Sequence, residues 1–411
     1  MLKRHIQKEV EAYLEIMPVV LIAGARQTGK TTYVRQIAKE RGYAFFTFDD
    51  VMTLANAKRD PVGWLKSLPK PVVIDEIQRV PEIFLSLKKD VDTNNKPGRY
   101  LLTGSANPLL IPHLGDSLAG RMGIINMFPF SFCEKIEKKE SFISLLFKKK
   151  IPIKTFPDLD KDLIVKELLW GGYPPVQTFK KLADVNRWIK AYLQTIMERD
   201  VRDIANIEGV REFPNLFRLL ASRNGGLLNI SSLSRSLGMV HMTLNRYMRL
   251  LETLYFIHLL PSWYHNLGKR MIKSPKIYIS DTAIVTSLLG MNEGRLLEDP
   301  MLFGQLLEGY VFSELLKQQS WAQTDFELYH FRDGSYEVDF ILEKSDGTVT
   351  GIEVKSAQSI HTGDLKGLKH LKSISKKRFD KGIILYLGAQ TEYLDEDLWA
   401  VPFQALWGGE E

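Results

Sequence analysis

Cysteine is almost absent. Cys133 stands alone among 411 residues, which excludes an internal disulfide and any thiolate cluster around a metal. Long apolar runs are missing as well, and nothing approaches the roughly 20 residues that cross a bilayer. Residues 1–9, Met-Leu-Lys-Arg-His-Ile-Gln-Lys-Glu, carry charges where a signal peptide needs an apolar core. A cytoplasmic protein with no membrane partner is the expectation. Charge of one sign is only mildly in excess: 55 Lys and Arg against 49 Asp and Glu leave +6. That balance permits contact with nucleic acid without requiring it. At this length, with 45% hydrophobic and 25% charged residues, two or three domains can each bury a core.

What is present begins with residues 19–32, Val-Val-Leu-Ile-Ala-Gly-Ala-Arg-Gln-Thr-Gly-Lys-Thr-Thr. A β-branched run, then G-x-x-x-x-G-K-T, then a helical pattern is the context a phosphate-binding loop requires. Gly24 and Gly29 let the backbone curl, so that the N–H groups of Gly24, Ala25, Arg26, Gln27, Thr28, Gly29, Lys30, Thr31 and Thr32 can face phosphates. Lys30 would reach the β/γ oxygens, and the Thr31 hydroxyl would take one Mg²⁺ position. The helix beginning near Lys30 adds its positive end to the same anion site.

Residues 44–48 read as a second buried strand, closed by Asp49 and Asp50, which are expected to act as turn formers outside the site. Residues 71–76, Pro-Val-Val-Ile-Asp-Glu, form an apolar strand ending in two acids. Asp75 would support Mg²⁺, and Glu76 would orient and deprotonate the attacking water. A further strand over 99–107 ends in small, mostly polar residues, Ser105, Ala106 and Asn107. Ligand sites lie at the carboxyl ends of parallel strands, so Thr103, Ser105 or Asn107 is a candidate to sense the γ-phosphate. Arg121, just before the strand at 124–128, is either a surface arginine or a finger reaching a neighbouring subunit's nucleotide in a homo-oligomer.

Gly-Ala-Arg-Gln-Thr-Gly-Lys-Thr, Ile-Asp-Glu-Ile-Gln, Leu-Leu-Thr-Gly-Ser, Ser-Leu-Ala-Gly-Arg (117–121) and Phe-Pro-Phe-Ser-Phe-Cys-Glu together resemble a prokaryotic family of AAA-type ATPases. The C-terminal region of that family is a domain of unknown function. The resemblance continues through 171–174, 198–201 and 351–356. It implies ATP with Mg²⁺ as the ligand, and a small helical lid after the nucleotide core. The lid corresponds to the helical pattern from 163 to 207, broken hard at Gly-Gly-Tyr-Pro-Pro (171–175).

Between 212 and 262 the order is helix, helix, turn at Gly238, helix, strand. This is the order of a winged helix. Leu244, Tyr247, Leu251 and Leu254 make the buried stripe of its third helix, leaving Thr243, Asn245 and Arg246 for base edges or phosphates of DNA. Docking to a protein partner is the competing use of the same module.

Residues 304–315 form an amphipathic helix, and two strands follow at 336–342 and 350–355, joined through Asp346-Gly347. Alternation sets Glu337 and Asp339 on one face, and Glu353 and Lys355 on another, with Val338, Phe340, Ile352 and Val354 free to bury. If the polar faces coincide, Asp339 and Glu353 share a divalent ion, and Lys355 orients water or stabilises a phosphorane. The Asp…Glu-x-Lys pattern, with Glu308 on the preceding helix, resembles the restriction-endonuclease-like fold. The resemblance implies either an active nuclease or a domain that keeps the shape without the metal.

The fold class expected is therefore α/β. It comprises an AAA-type P-loop ATPase core (1–135), a connector and helical lid (136–210), a winged-helix module (211–295) and a restriction-endonuclease-like α/β domain (296–411).

Overall fold

Val19–Ala23 (β1) is buried at all five positions, as a parallel strand covered on both faces must be. Ala44–Thr47 (β2), Val72–Asp75 (β3), Tyr100–Gly104 (β4) and Met122–Asn126 (β5) join it in the order β2-β3-β4-β1-β5, with every neighbouring pair parallel. This is the computed structural model of the chain, and it describes residues 2–107, 118–139, 142–205, 213–265, 267–270 and 273–408. It divides into two compact units, 1–130 with 249–256, and 131–248 with 257–411.

In the first unit the register sets Ala23 beside Gly104 and Thr47 beside Asp75. The carboxyl ends of β1, β3 and β4 therefore lie side by side, where ligands of parallel sheets collect. Val19, Leu21, Val72, Ile74, Tyr100 and Leu102 pack with Phe84 and Leu87 of the helix Ile83–Thr93. β2 was expected to be a buried strand, yet its four side chains are only half-buried, because it forms an edge of the sheet. Asp50 caps the helix Val51–Arg59 by accepting the Thr53 N–H at 2.8 Å. Asp49 pairs with Arg79 at 2.8 Å.

The second unit contains the helices Lys161–Trp170 and Leu182–Ala205, separated at Gly171. Gly171 has φ +63°, and a Cβ there would lie 1.9 Å from Asp281 Oδ1. Asp281 is itself fixed by the N–H groups of Gly172 and Ala283, so the glycine is required at this break. The helices Phe213–Ala221 and Ile230–Leu237 follow, and then His241–Thr253, whose residues from 249 onward belong to the first unit. Asn229 caps the middle one, and Gly238 ends it at φ +64°. Ile257–Leu260 (β6) and Lys276–Ile279 (β7) then pair antiparallel, with Leu227 bridging to Lys276.

Helix Pro300–Gln319 leads into the strands Phe326–Asp333 (β8), Tyr336–Lys344 (β9) and Val349–Lys355 (β10), an antiparallel meander. Helix Lys366–Ser375 crosses over to Phe379–Tyr386 (β11), which runs parallel to β10. Glu392–Asp395 (β12) and Leu398–Pro402 (β13) complete a sheet in the order β12-β13-β11-β10-β9-β8. Val338, Phe340 and Ile352 are buried as alternation requires, whereas Val354, near the end of β10, is only partly covered.

Candidate functional site

The loop after β1 is shaped by its glycines. A Cβ on Gly24 would meet the Met127 carbonyl oxygen at 2.2 Å. Gly29 takes φ +94° to open the helix Lys30–Arg41, a conformation that favours glycine. Within the loop Thr28 donates its hydroxyl to the Ala25 carbonyl at 3.0 Å. Arg26 is half-buried, while Gln27 (φ +63°) and Thr32 are exposed. Arg4, a buried residue from the chain's first turn, donates to the Thr28 carbonyl at 2.9 Å and also reaches the Phe128 carbonyl. Its guanidinium lies 4.7 Å from the centre of the Phe130 ring. Sequence reading missed this brace, since nothing local links Arg4 to a loop more than twenty residues away.

The Lys30 ammonium is buried and donates to the carbonyls of Gly24 (2.8 Å) and Ala25 (2.7 Å). Burial pulls its pKa down to about 8, against the pull of Glu76 and Asp75. Asp75 is fully buried at the end of β3. Its Oδ1 accepts from Thr31 at 3.0 Å and Thr103 at 2.6 Å, and its Oδ2 accepts from Thr47 at 3.0 Å. Burial raises the Asp75 carboxyl above the usual range, and these hydroxyls oppose the rise. Hydroxyl and carboxylate oxygens so gathered are the hard donor set that Mg²⁺ takes.

Glu76 adopts a left-handed backbone (φ +60°), and its N–H donates to Thr103 Oγ1 at 3.0 Å. Strained conformations of this kind collect at functional sites. Its carboxylate accepts from Ser105 Oγ at 3.2 Å and from the Gln78 amide. Gln78 also donates to Ser105 Oγ at 2.6 Å and accepts the Ser105 N–H at 3.2 Å. Thr103 and Ser105 thus join the acids directly. Asn107 donates its backbone N–H to the Thr253 carbonyl at 2.8 Å. Thr47 and Gln78 were missed, although Gln78 belongs to the quoted Ile-Asp-Glu-Ile-Gln motif.

Arg121 lies at the amino end of β5, the opposite end of the parallel strands from the loop. It pairs with Asp92 at 2.5 Å and donates to the Ala119 carbonyl. It therefore does not serve this chain's own phosphate loop. Ser117 lies outside the described residues, as do the side chains of 198–201.

In the second unit Asn245 and Arg246 are exposed on the helix His241–Thr253, and Thr243 is half-buried. Leu244, Tyr247, Leu251 and Leu254 are buried as expected. Val240 and Met242, at the start of that helix, are exposed apolar side chains.

β9 and β10 bring Asp339 close to the Glu353 strand: Asp339 Oδ2 accepts the Val354 N–H at 2.9 Å. Lys355 pairs with Glu353 at 3.0 Å and faces Asp364 at 3.6 Å. Glu337, Glu353, Lys355 and Asp364 line an open cleft of about 730 Å³. Lys276 of β7 was not foreseen. Its ammonium lies 2.8 Å from Glu337, 2.9 Å from Glu308 and 3.4 Å from Asp339. Burial, and then the charge of Asp339, raise the carboxyls of both Glu308 and Glu353. A divalent ion was expected between Asp339 and Glu353; Asp339 directs one oxygen at the Lys276 ammonium, and Glu353 pairs with Lys355. Among the described residues no group of three His, Cys, Asp or Glu is arranged to hold a metal.

Residues 17–136 match the family model described as AAA domain. Residues 161–295 and 303–406 match two models, each described as a domain of unknown function. An uncharacterized protein of Mycobacterium tuberculosis is 30% identical over 354 residues, covering 86% of this chain and 74% of that protein. Another from Methanocaldococcus jannaschii is 24% identical over 356 residues, covering 82% and 75%. Among solved structures, a Walker-type ATPase of Pyrococcus abyssi has 15% identity and a TM-score of 0.42, covering 69% of this chain and 94% of that one. No helix among the described residues is long and apolar enough to cross a membrane.

Proposed function

The chain belongs to a prokaryotic family of AAA-type P-loop ATPases with a C-terminal domain of unknown function, and from that premise we propose that it hydrolyses ATP with Mg²⁺ and uses its nucleotide state to control how the second unit engages DNA. The observation that carries the first half is the convergence of Thr31, Thr47 and Thr103 on Asp75, with Glu76 next to it.

The loop 24–32 receives the triphosphate. Lys30 transfers its hydrogen bonds from the Gly24 and Ala25 carbonyls to the β/γ oxygens, which supply the negative charge a buried ammonium needs. Thr31 and Asp75 would hold Mg²⁺, which when bound neutralises phosphate charge. Glu76 accepts a proton from the attacking water once its carboxylate turns from Gln78 and Ser105. Ser105 is then released to sense the γ-phosphate. Arg121, at the amino ends of the strands, is assigned to a neighbouring copy's nucleotide in a homo-oligomer.

DNA engagement is supported by the exposed Asn245 and Arg246 on the third helix of a winged-helix order, completed by the β6–β7 pair. The C-terminal sheet, which resembles the restriction-endonuclease-like fold, is proposed as a second module on the same path. Its nuclease chemistry, assigned to Asp339, Glu353 and Lys355, forms no part of this proposal. Lys276 favours a second reading in which the domain is an inactive platform, with a protein partner in place of DNA.

ATP turnover with and without duplex and single-stranded DNA separates the two readings, with Lys30→Ala and Glu76→Gln as controls. Turnover stimulated by DNA and lost in both variants is the expected result. Turnover indifferent to DNA favours the protein-binding switch. Turnover that survives Lys30→Ala refutes the site.

A further inference from the structure

The second unit carries a group of acids that resembles a nuclease centre, but it has a cation of its own. Glu308 comes from the helix Pro300–Gln319, and Glu337 and Asp339 come from β9. All three converge on Lys276 Nζ at 2.9, 2.8 and 3.4 Å. Lys276 is only 3% exposed. It belongs to β7, which pairs with β6 and lies outside the sheet that bears the acids. Two residues along β7, Tyr278 donates its hydroxyl to Glu308 Oε1 at 2.5 Å. Residues i and i+2 share a face of a strand, so one strand presents an ammonium and a phenol to the Glu308 carboxylate.

Other oxygens of the cluster are engaged as well. Asp339 directs Oδ1 toward Lys276 and uses Oδ2 for the Val354 N–H. Glu353 Oε1 accepts from Lys355, and Glu353 Oε2 is buried with no hydrogen-bond partner. A hard divalent ion needs several oxygens at about 2.0–2.6 Å. An ammonium about 3 Å from Glu308, Glu337 and Asp339 repels a second cation among the same acids. Removing the ammonium would leave buried carboxylates uncompensated, a situation that strongly favours uptake of another cation.

We propose that Lys276 is the resident cation of this cluster, standing where a divalent ion would otherwise sit, so that the C-terminal domain binds its partner without cutting nucleic acid. The proposal concerns this cluster alone and does not depend on the ATPase reading.

The test is a Mn²⁺ titration of the nucleotide-free full-length chain, followed by the electron paramagnetic resonance of free Mn²⁺. Nicking of supercoiled plasmid in Mn²⁺ is measured beside it. Wild-type protein should take up no Mn²⁺ that Asp339→Asn abolishes, and should nick plasmid no faster than Asp339→Asn does. Lys276→Met should gain a stoichiometric Mn²⁺ site that is lost in the double variant with Asp339→Asn. Melting temperature and ATP turnover report whether each variant is folded, and Lys276→Gln replaces Lys276→Met if the latter is not. Asp339-dependent Mn²⁺ uptake or nicking by the wild type overturns the proposal without any Lys276 variant. A folded Lys276 variant that gains no Mn²⁺ overturns it as well.

Discussion

Thr103 donates its hydroxyl to Asp75 across 2.6 Å, and the same oxygen accepts the N–H of Glu76 at 3.0 Å. One side chain of β4 therefore fixes both acids that close β3. Hydrogen bonds to buried charged groups contribute about 1.5–3 kcal/mol, and each 1.4 kcal/mol is about tenfold in rate. Thr103→Val keeps the shape and removes both contacts. ATP turnover should fall roughly 10- to 100-fold, with the melting temperature lowered by several degrees. Steady-state turnover beside a thermal melt checks this, and an unchanged kcat refutes the assignment.

Gln78 and Ser105 hold the Glu76 carboxylate in a closed triangle. A general base held by two donors must leave them before it can take a proton from water. Gln78→Ala should therefore raise basal ATP turnover and shrink any stimulation by DNA, whereas Glu76→Gln should abolish both. A basal rate below wild type in Gln78→Ala would show that Gln78 positions Glu76 for attack instead of withholding it.

Lys30 gives a pH signature. Burial favours the neutral amine and sets its pKa near 8, while a bound triphosphate favours the ammonium. ATP affinity should thus be level below pH 8 and weaken above it, by up to about tenfold per pH unit toward the ordinary lysine value. The same depression means the unfolded chain holds more protons between about pH 8 and 10.5. The cost of burying this ammonium is accordingly felt below pH 8 and relieved as pH rises through that window. Calorimetric titration of ATP across pH tests the affinity slope, and Lys30→Ala should lose both the binding and the slope.

DNA contact through the helix His241–Thr253 predicts separable effects. Arg246→Ala should weaken binding to every sequence and lower the salt slope by about one. Asn245→Ala should leave the slope unchanged and alter preference among sequences, as a base-edge contact does. Fluorescence anisotropy over a range of salt concentrations measures both. Identical isotherms for wild type and both variants would remove this helix from the interface.

Local chemistry alone determined the phosphate loop and the acids of β3. A glycine-framed turn between strand and helix, and two carboxylates at a strand end, are contiguous in the chain, and the roles proposed for them follow from backbone geometry over a few residues. The Asp346-Gly347 turn and the helix-helix-turn-helix-strand order were legible for the same reason. Tertiary structure decided the partners. Arg4 braces a loop, Thr47 reaches Asp75 from a neighbouring strand, and Gln78 turns back onto Ser105. None of these pairs is marked by a period or a spacing. Lys276 is the clearest case. Alternation could say that Glu337 and Asp339 share a face, but a strand 63 residues before Asp339 supplies the charge that meets them. Only folding brings that ammonium within 3.4 Å of Asp339, because the two lie on strands of different sheets.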